Sequence, residues 1–122
     1  MAFTATMLDA HPIYYFTYPG DPDNTTNAGT TQTTVAISGS GGVYQAAVTD
    51  TYFDDNGNQV STVTNNATLT LNADGTVTAS DGTTFTLIDS TASYLLVSGT
   101  DSSGTWSENW YFSPPAGWIS TP

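Results

Sequence analysis

The sequence predicts an all-β, antiparallel fold, a β-sandwich or an up-and-down β-barrel, and three observations carry the prediction. Apolar residues alternate with threonine through the second half of the chain. Asp-Gly and Asn-Gly turns interrupt that alternation at short intervals. No window keeps the i, i+3, i+4 apolar spacing of an amphipathic helix.

FTATML near the N-terminus reads as a short strand. IYYFTY at 13–18 reads as another, with Ile13 and Tyr15 on one face and Tyr14, Phe16 and Tyr18 on the other. A strand apolar on both faces must be covered on both. A single small sheet covers one, so Tyr14, Phe16 and Tyr18 are the expected interface with a neighbouring subunit. The competing reading makes this the central strand of a sandwich. PGDPDNTTNAGTTQ shows no periodicity and reads as a long polar loop, a length that usually marks function or mobility. TTVAIS then reads as a strand, and SGSGG at 38–42 as a hinge-like connection.

Residues 43–112 read as a meander. In ATLTLNADGTVTASDGTTFTL, Leu69, Leu71, Val77, Ala79, Phe85 and Leu87 alternate with threonines. Two-residue loops at the Asp-Gly turns would pair these apolar residues with threonines across the ladder. Loops spanning 73–75 and 80–82 instead place Leu71 opposite Val77 and Val77 opposite Phe85, which keeps the apolar side chains on one face. Such loops end on glycine in the left-handed region, the role expected of Gly75 and Gly82. DDNGN at 54–58, a break at Asn65-Asn66, DSTAS at 89–93 and GTDSSG at 99–104 continue the rhythm. The count is about seven strands here and roughly ten in the chain, in a sheet long enough to curl or close. The organisation is thus one all-β domain over 1–122: an N-terminal arm with its polar loop (1–42), the meander (43–112) and an extended, proline-punctuated tail (113–122) anchored by Trp118.

Composition sets the limits on function. The chain holds no lysine and no arginine against ten aspartates and one glutamate, for a formal charge of −11. Its cations are the N-terminal amine and, when protonated, His11. Nucleic acid is therefore an unsuitable partner, since nothing neutralises phosphate. Anionic membranes are disfavoured for the same reason, and no apolar run approaches the ~20 residues of a spanning helix. Trypsin-type proteases find no basic side chain to cut at. With no cysteine, thiol chemistry and thiolate metal sites are out of reach. The start MAFTATMLDAH lacks the basic and apolar blocks of a secretory signal, so the expectation is either release by lysis or a specialised route, or a signal already removed. Crowded carboxylates without counter-cations are expected to titrate high on average.

Four groups of residues invite a chemical reading. In TWSENWYF, Trp106, Glu108, Trp110 and Phe112 share one face of a strand, and Glu108 is the single glutamate. They read as the edge of an ordinary core, or as an aromatic ligand-binding wall in which Glu108 accepts hydrogen bonds from the ligand. DDNGN offers Asp54, Asp55, Asn56 and Asn58 as oxygen ligands for calcium, and DPDN offers Asp21, Asp23 and Asn24; neither matches an EF-hand, and turn chemistry explains both. His11 stands alone, too few ligands for a transition metal. Asn24-Thr-Thr and Asn66-Ala-Thr are glycosylation tripeptides of a kind that arises by chance in such a chain.

An enzyme is not expected. There is no catalytic cysteine or lysine, no nucleophile elbow around any serine, and no specified carboxylate pair. Meanders with Asp-Gly-Thr turns occur in lipocalin-like barrels and in many virion and surface modules, a similarity of architecture alone. The first expectation is a non-catalytic structural protein on a virion or cell exterior, a decoration, tail or filament subunit that assembles with itself or other proteins through its N-terminal arm. The second is a lectin-like or lipocalin-like module for neutral glycans or a small apolar ligand, using Trp106, Glu108 and Trp110. Calcium is the one cofactor suggested.

Overall fold

The computed structural model describes residues 1–19 and 29–119, with side chains omitted for Tyr18 and Pro19. Eight antiparallel strands close into an up-and-down barrel in chain order. They are β1 (Ile13–Pro19), β2 (Thr30–Ser40), β3 (Val43–Phe53), β4 (Gln59–Leu71), β5 (Val77–Ala79), β6 (Thr84–Ser90), β7 (Tyr94–Asp101) and β8 (Gly104–Tyr111). Of the two architectures compatible with the sequence, the barrel is the one formed. Closure removes the sheet edges that a long open meander would expose.

Both Asp-Gly hairpins take the predicted register, with Leu71 opposite Val77 and Val77 opposite Phe85. In the first, the Gly75 amide donates to the Asn72 carbonyl and the Asn72 amide to the Thr76 carbonyl. Gly75 and Gly82 have φ of 85° and 99°, a region where a Cβ would be penalised. Asp74 Oδ1 accepts from the Thr76 amide and hydroxyl, and Asp81 Oδ1 from the Thr83 amide, so each aspartate locks its own corner.

Four expectations need correction. FTATML is no strand: residues Ala5–Ala10 form a helix, α1, whose N-cap Thr4 accepts from the Met7 amide. Asn65 and Asn66 do not interrupt a strand, because β3 is long enough to pair them with Val48 and Ala47 in an unbroken ladder. The meander therefore has six strands, β3–β8, and the described residues eight in all. SGSGG is not a hinge between two parts; Gly41-Gly42 is the tight corner of the β2–β3 hairpin, closed by the Ser40–Val43 pair. The segment before it belongs to the barrel wall. Of the polar stretch, Thr30–Gln32 opens β2, while DPDN and Asn24 lie outside the described residues.

The two ends of the barrel differ. One is plugged. There α1 packs beside β2, Phe3 and Leu8 are buried in the core, and the Phe3 amide donates to the Gly75 carbonyl of the 72–76 turn. Tyr44 donates to Asp9 of the helix. The core below the plug gathers Tyr14, Ile37, Tyr44, Val77, Leu87, Leu95, Val97 and Trp110. The opposite end, framed by the 54–58, 80–83 and 102–103 turns, carries no such plug among the described residues.

The wall is uneven. β1 and β8 meet in a single pair, Tyr15–Tyr111. β5 pairs with only Leu69–Leu71 of β4, so most of β4 beyond it has no ladder partner on that side among the described residues. The C-terminal tail reinforces the weak β1 side from outside. Trp118 packs edge-on against Tyr15, with ring centroids 5.4 Å apart. The Gln32 side-chain amide donates to the Ile119 carbonyl at 3.0 Å and accepts from the Ile119 amide at 2.7 Å.

The interface expectation for the N-terminal arm is corrected by the same geometry. Tyr14 is 2% exposed inside the barrel, and Phe16 packs against the core. The side chain of Tyr18 lies outside the description. Tyr14 and Phe16 thus meet the barrel interior and Tyr15 meets the tail, while Ile13 on the outer face stays 40% exposed.

Candidate functional site

Closing the sheet turns the apolar face inward, and side-chain size then decides whether the interior fills. Near the plug it does, with tyrosines, leucines and Trp110. Toward the mouth the inward positions of three successive strands are alanines: Ala46 on β3 pairs with Ala67 on β4, and Ala79 on β5 pairs with Leu69. These short side chains cannot reach the barrel axis. A cavity of about 920 Å³ remains, with no plug at the mouth among the described residues. Its apolar lining includes Phe16, Val35, Val48, Leu69, Phe85 and the three alanines.

Trp106, Glu108 and Trp110 stand on the cavity wall opposite no cation. The strand alternation brings them to one face as expected, and the face is the inner one. The Trp110 indole N–H donates to Glu108 Oε1 at 2.8 Å, and that of Trp106 to Oε2 at 3.3 Å. One carboxylate thus holds two indoles, one to each oxygen. Each oxygen keeps further acceptor capacity, since a carboxylate offers about four lone-pair sites. Burial raises the Glu108 pKa above the ordinary glutamate value, against the lowering effect of the Trp110 and Trp106 hydrogen bonds. Trp110 is 7% exposed and makes tilted or edge contacts with Phe3, Tyr14 and Phe85 at 5.1–5.9 Å. Trp106 is 36% exposed at the mouth. Trp110 is thus part of the core, as one reading of TWSENWYF expects, while Trp106 stands partly exposed on the cavity wall.

Asp81 and Asp101 line the same cavity at its rim. Hydrogen bonds from the Ser103 hydroxyl and amide hold Asp101 below the usual carboxylate range, and those from Thr76 do the same for Asp74. Of these three carboxylates only Glu108 rises as expected, and it does so through burial rather than like-charge crowding, while turn donors lower Asp74 and Asp101.

The remaining sequence candidates lie elsewhere. In DDNGN, Asp54 Oδ1 accepts from the amides of Asn56 and Asn58, each at 2.9 Å, and Asp55 Oδ1 from the Gly29 amide. The two carboxylates face different partners, one closing its own loop and the other fastening the start of β2. Among the described residues no three His, Cys, Asp or Glu side chains gather as a metal site. His11 stacks on Phe112 at the plugged end, 3.7 Å between centroids and 8° between planes.

The reading of the sequence missed Phe16 and Phe85 as cavity residues, together with the hollow itself. The available signal was the alanine at inward positions 46, 67 and 79, where a filled barrel would carry larger residues. Comparison of the chain with protein families, with curated proteins and with solved structures finds no match.

Proposed function

We propose that this protein binds a small, largely apolar molecule within its barrel. The observation that supports this most directly is the hollow between the alanine wall and the Trp106–Glu108–Trp110 wall. A cavity of this size, apolar with a few convergent polar groups, suits an organic ligand of moderate size. Neutral glycans are less suited, because sugar hydroxyls need many partners and the wall formed by Val35, Val48, Leu69 and the three alanines offers none from its side chains. The proposed roles are apolar contact from Phe16, Val35, Val48 and Phe85, stacking from Trp106, and acceptance of a ligand donor by Glu108. Titration with a neutral solvatochromic dye such as Nile red, read with tryptophan fluorescence, tests this. Saturable binding that Ala67→Phe removes without lowering the melting temperature is the expected result. Binding that survives filling of the cavity, or none at all, counts against it.

The assembly reading keeps one supporting observation. The open side of β4 near the mouth carries Val60 and Val63, 59% and 45% exposed, along a strand long enough to accept another. Light scattering on the full chain and on Val63→Pro distinguishes a strand-paired oligomer from a monomer.

A further inference from the structure

The proposed ligand is here given a chemical class, an inference that rests on the binding reading above. We infer that the cavity takes a hydrophobic amine in its protonated form, with the ammonium group against Glu108 and the apolar body along the alanine wall.

Charge is the first argument. A carboxylate set into an apolar wall carries a desolvation cost that a single neutral donor on each oxygen offsets only in part. Ordinarily a lysine or arginine supplies the balance, and this chain has neither. Its one histidine is stacked on Phe112 at the plugged end, and neither it nor the exposed Met1, which carries the N-terminal amine, lines the cavity. The other acidic side chains in the lining, Asp81 and Asp101, add negative charge at the rim. A cation able to sit beside Glu108 must therefore come from outside, and an anion is repelled along the whole approach.

Geometry is the second. Both indole N–H groups point at Glu108, which holds the rings on either side of the carboxylate and fixes their orientation. Phe85 stands edge-on to Trp110 in the same cavity. A fixed acceptor with spare lone pairs in a wall without a cation suits an ammonium ion, which makes a charge-assisted hydrogen bond to the carboxylate. A neutral alcohol would make only the weaker, uncharged bond. A carboxylate ligand would use neither.

The test compares three ligands with similar phenylalkyl bodies, 2-phenylethylamine, 2-phenylethanol and 3-phenylpropionate, by calorimetry and tryptophan fluorescence at neutral pH and low salt. The amine should bind at least about tenfold tighter than the alcohol, with the acid weakest. Adding salt should erode the preference for the amine. In Glu108→Gln, shown to be folded by circular dichroism, the amine-to-alcohol ratio should fall toward one. Equal or tighter binding of the alcohol by the unaltered protein overturns the amine inference and leaves the cavity reading standing. If the three ligands and Nile red all fail to bind, both readings fall. The head-group series on the unaltered protein decides the matter even if the variant does not fold.

Discussion

The indole of Trp106 lies directly over Gly99 on the neighbouring strand, so closely that a Cβ at position 99 would sit 2.5 Å from Trp106 Cζ2. The two residues are register partners across β7 and β8. Gly99 provides the space in which the ring can lie flat and reach Glu108. Gly99→Ala should push the ring off this position, at about 1–3 kcal/mol for the forced rearrangement. The check is a red shift in tryptophan emission with a lowered urea midpoint. An unchanged spectrum would mean that the ring has other room.

The two tryptophans should separate stability from binding. Trp110→Ala removes a buried ring that touches Phe3, Tyr14 and Phe85, and should cost about 3–5 kcal/mol in urea unfolding. Trp106→Ala removes a ring 36% exposed at the mouth and should cost well under half as much. The same Trp106 variant should lose much of the response to Nile red. Equal destabilisation by both would place Trp106 in the core after all.

Stability should carry a pH signature from Glu108. Its folded pKa is raised by burial, so the folded state binds the extra proton. The resulting stabilisation is complete below the unfolded value and is lost as pH climbs through the folded one. Asp74 and Asp101 act in the opposite sense: their folded values are lowered, so their contribution is present above the unfolded value and fades on acidification through the folded one. Comparing Glu108→Gln with the unaltered protein isolates the first effect. Between about pH 4 and pH 7 the melting temperature of the variant should rise relative to that of the parent. Parallel curves would show that Glu108 ionises without hindrance.

Removing residues 1–38 should abolish cooperative unfolding. That segment holds α1 with its buried Leu8, β1, and most of β2, whose partner β3 would be exposed along its length. A smaller cut at the same end tests the plug: Leu8→Ala should cost about 2–5 kcal/mol, and Thr4→Ala about 1 kcal/mol through loss of the N-cap. Sharp melting of the truncated chain would argue that the first two strands are dispensable.

What the sequence made legible was local. Register across Leu71, Val77 and Phe85 followed from turn length, because a slip by one residue would have turned every leucine outward. The shared face of Trp106, Glu108 and Trp110 followed from alternation alone. The helix escaped notice because it has only six residues and one buried side chain, Leu8, too short for a period to emerge; its cap, Thr4, was the better sign. Asn65-Asn66 resembled a break because asparagine favours turns, yet eleven paired residues of β3 overrode that preference. The cavity was invisible for a different reason. It exists only once Ala46, Ala67 and Ala79, far apart in sequence, are brought to the same depth by closure.

The single Tyr15–Tyr111 pair has a consequence for how the molecule is made. A ribosome delivers β1 early, yet the strand that must meet it is the last of the eight to emerge. Until then the nascent sheet can zip hairpin by hairpin but stays an open ribbon with two raw borders. Contacts of such wide sequence separation are slow to form, so the vulnerable interval for this chain falls late, between the exit of Tyr111 and the docking of Trp118 over the joint.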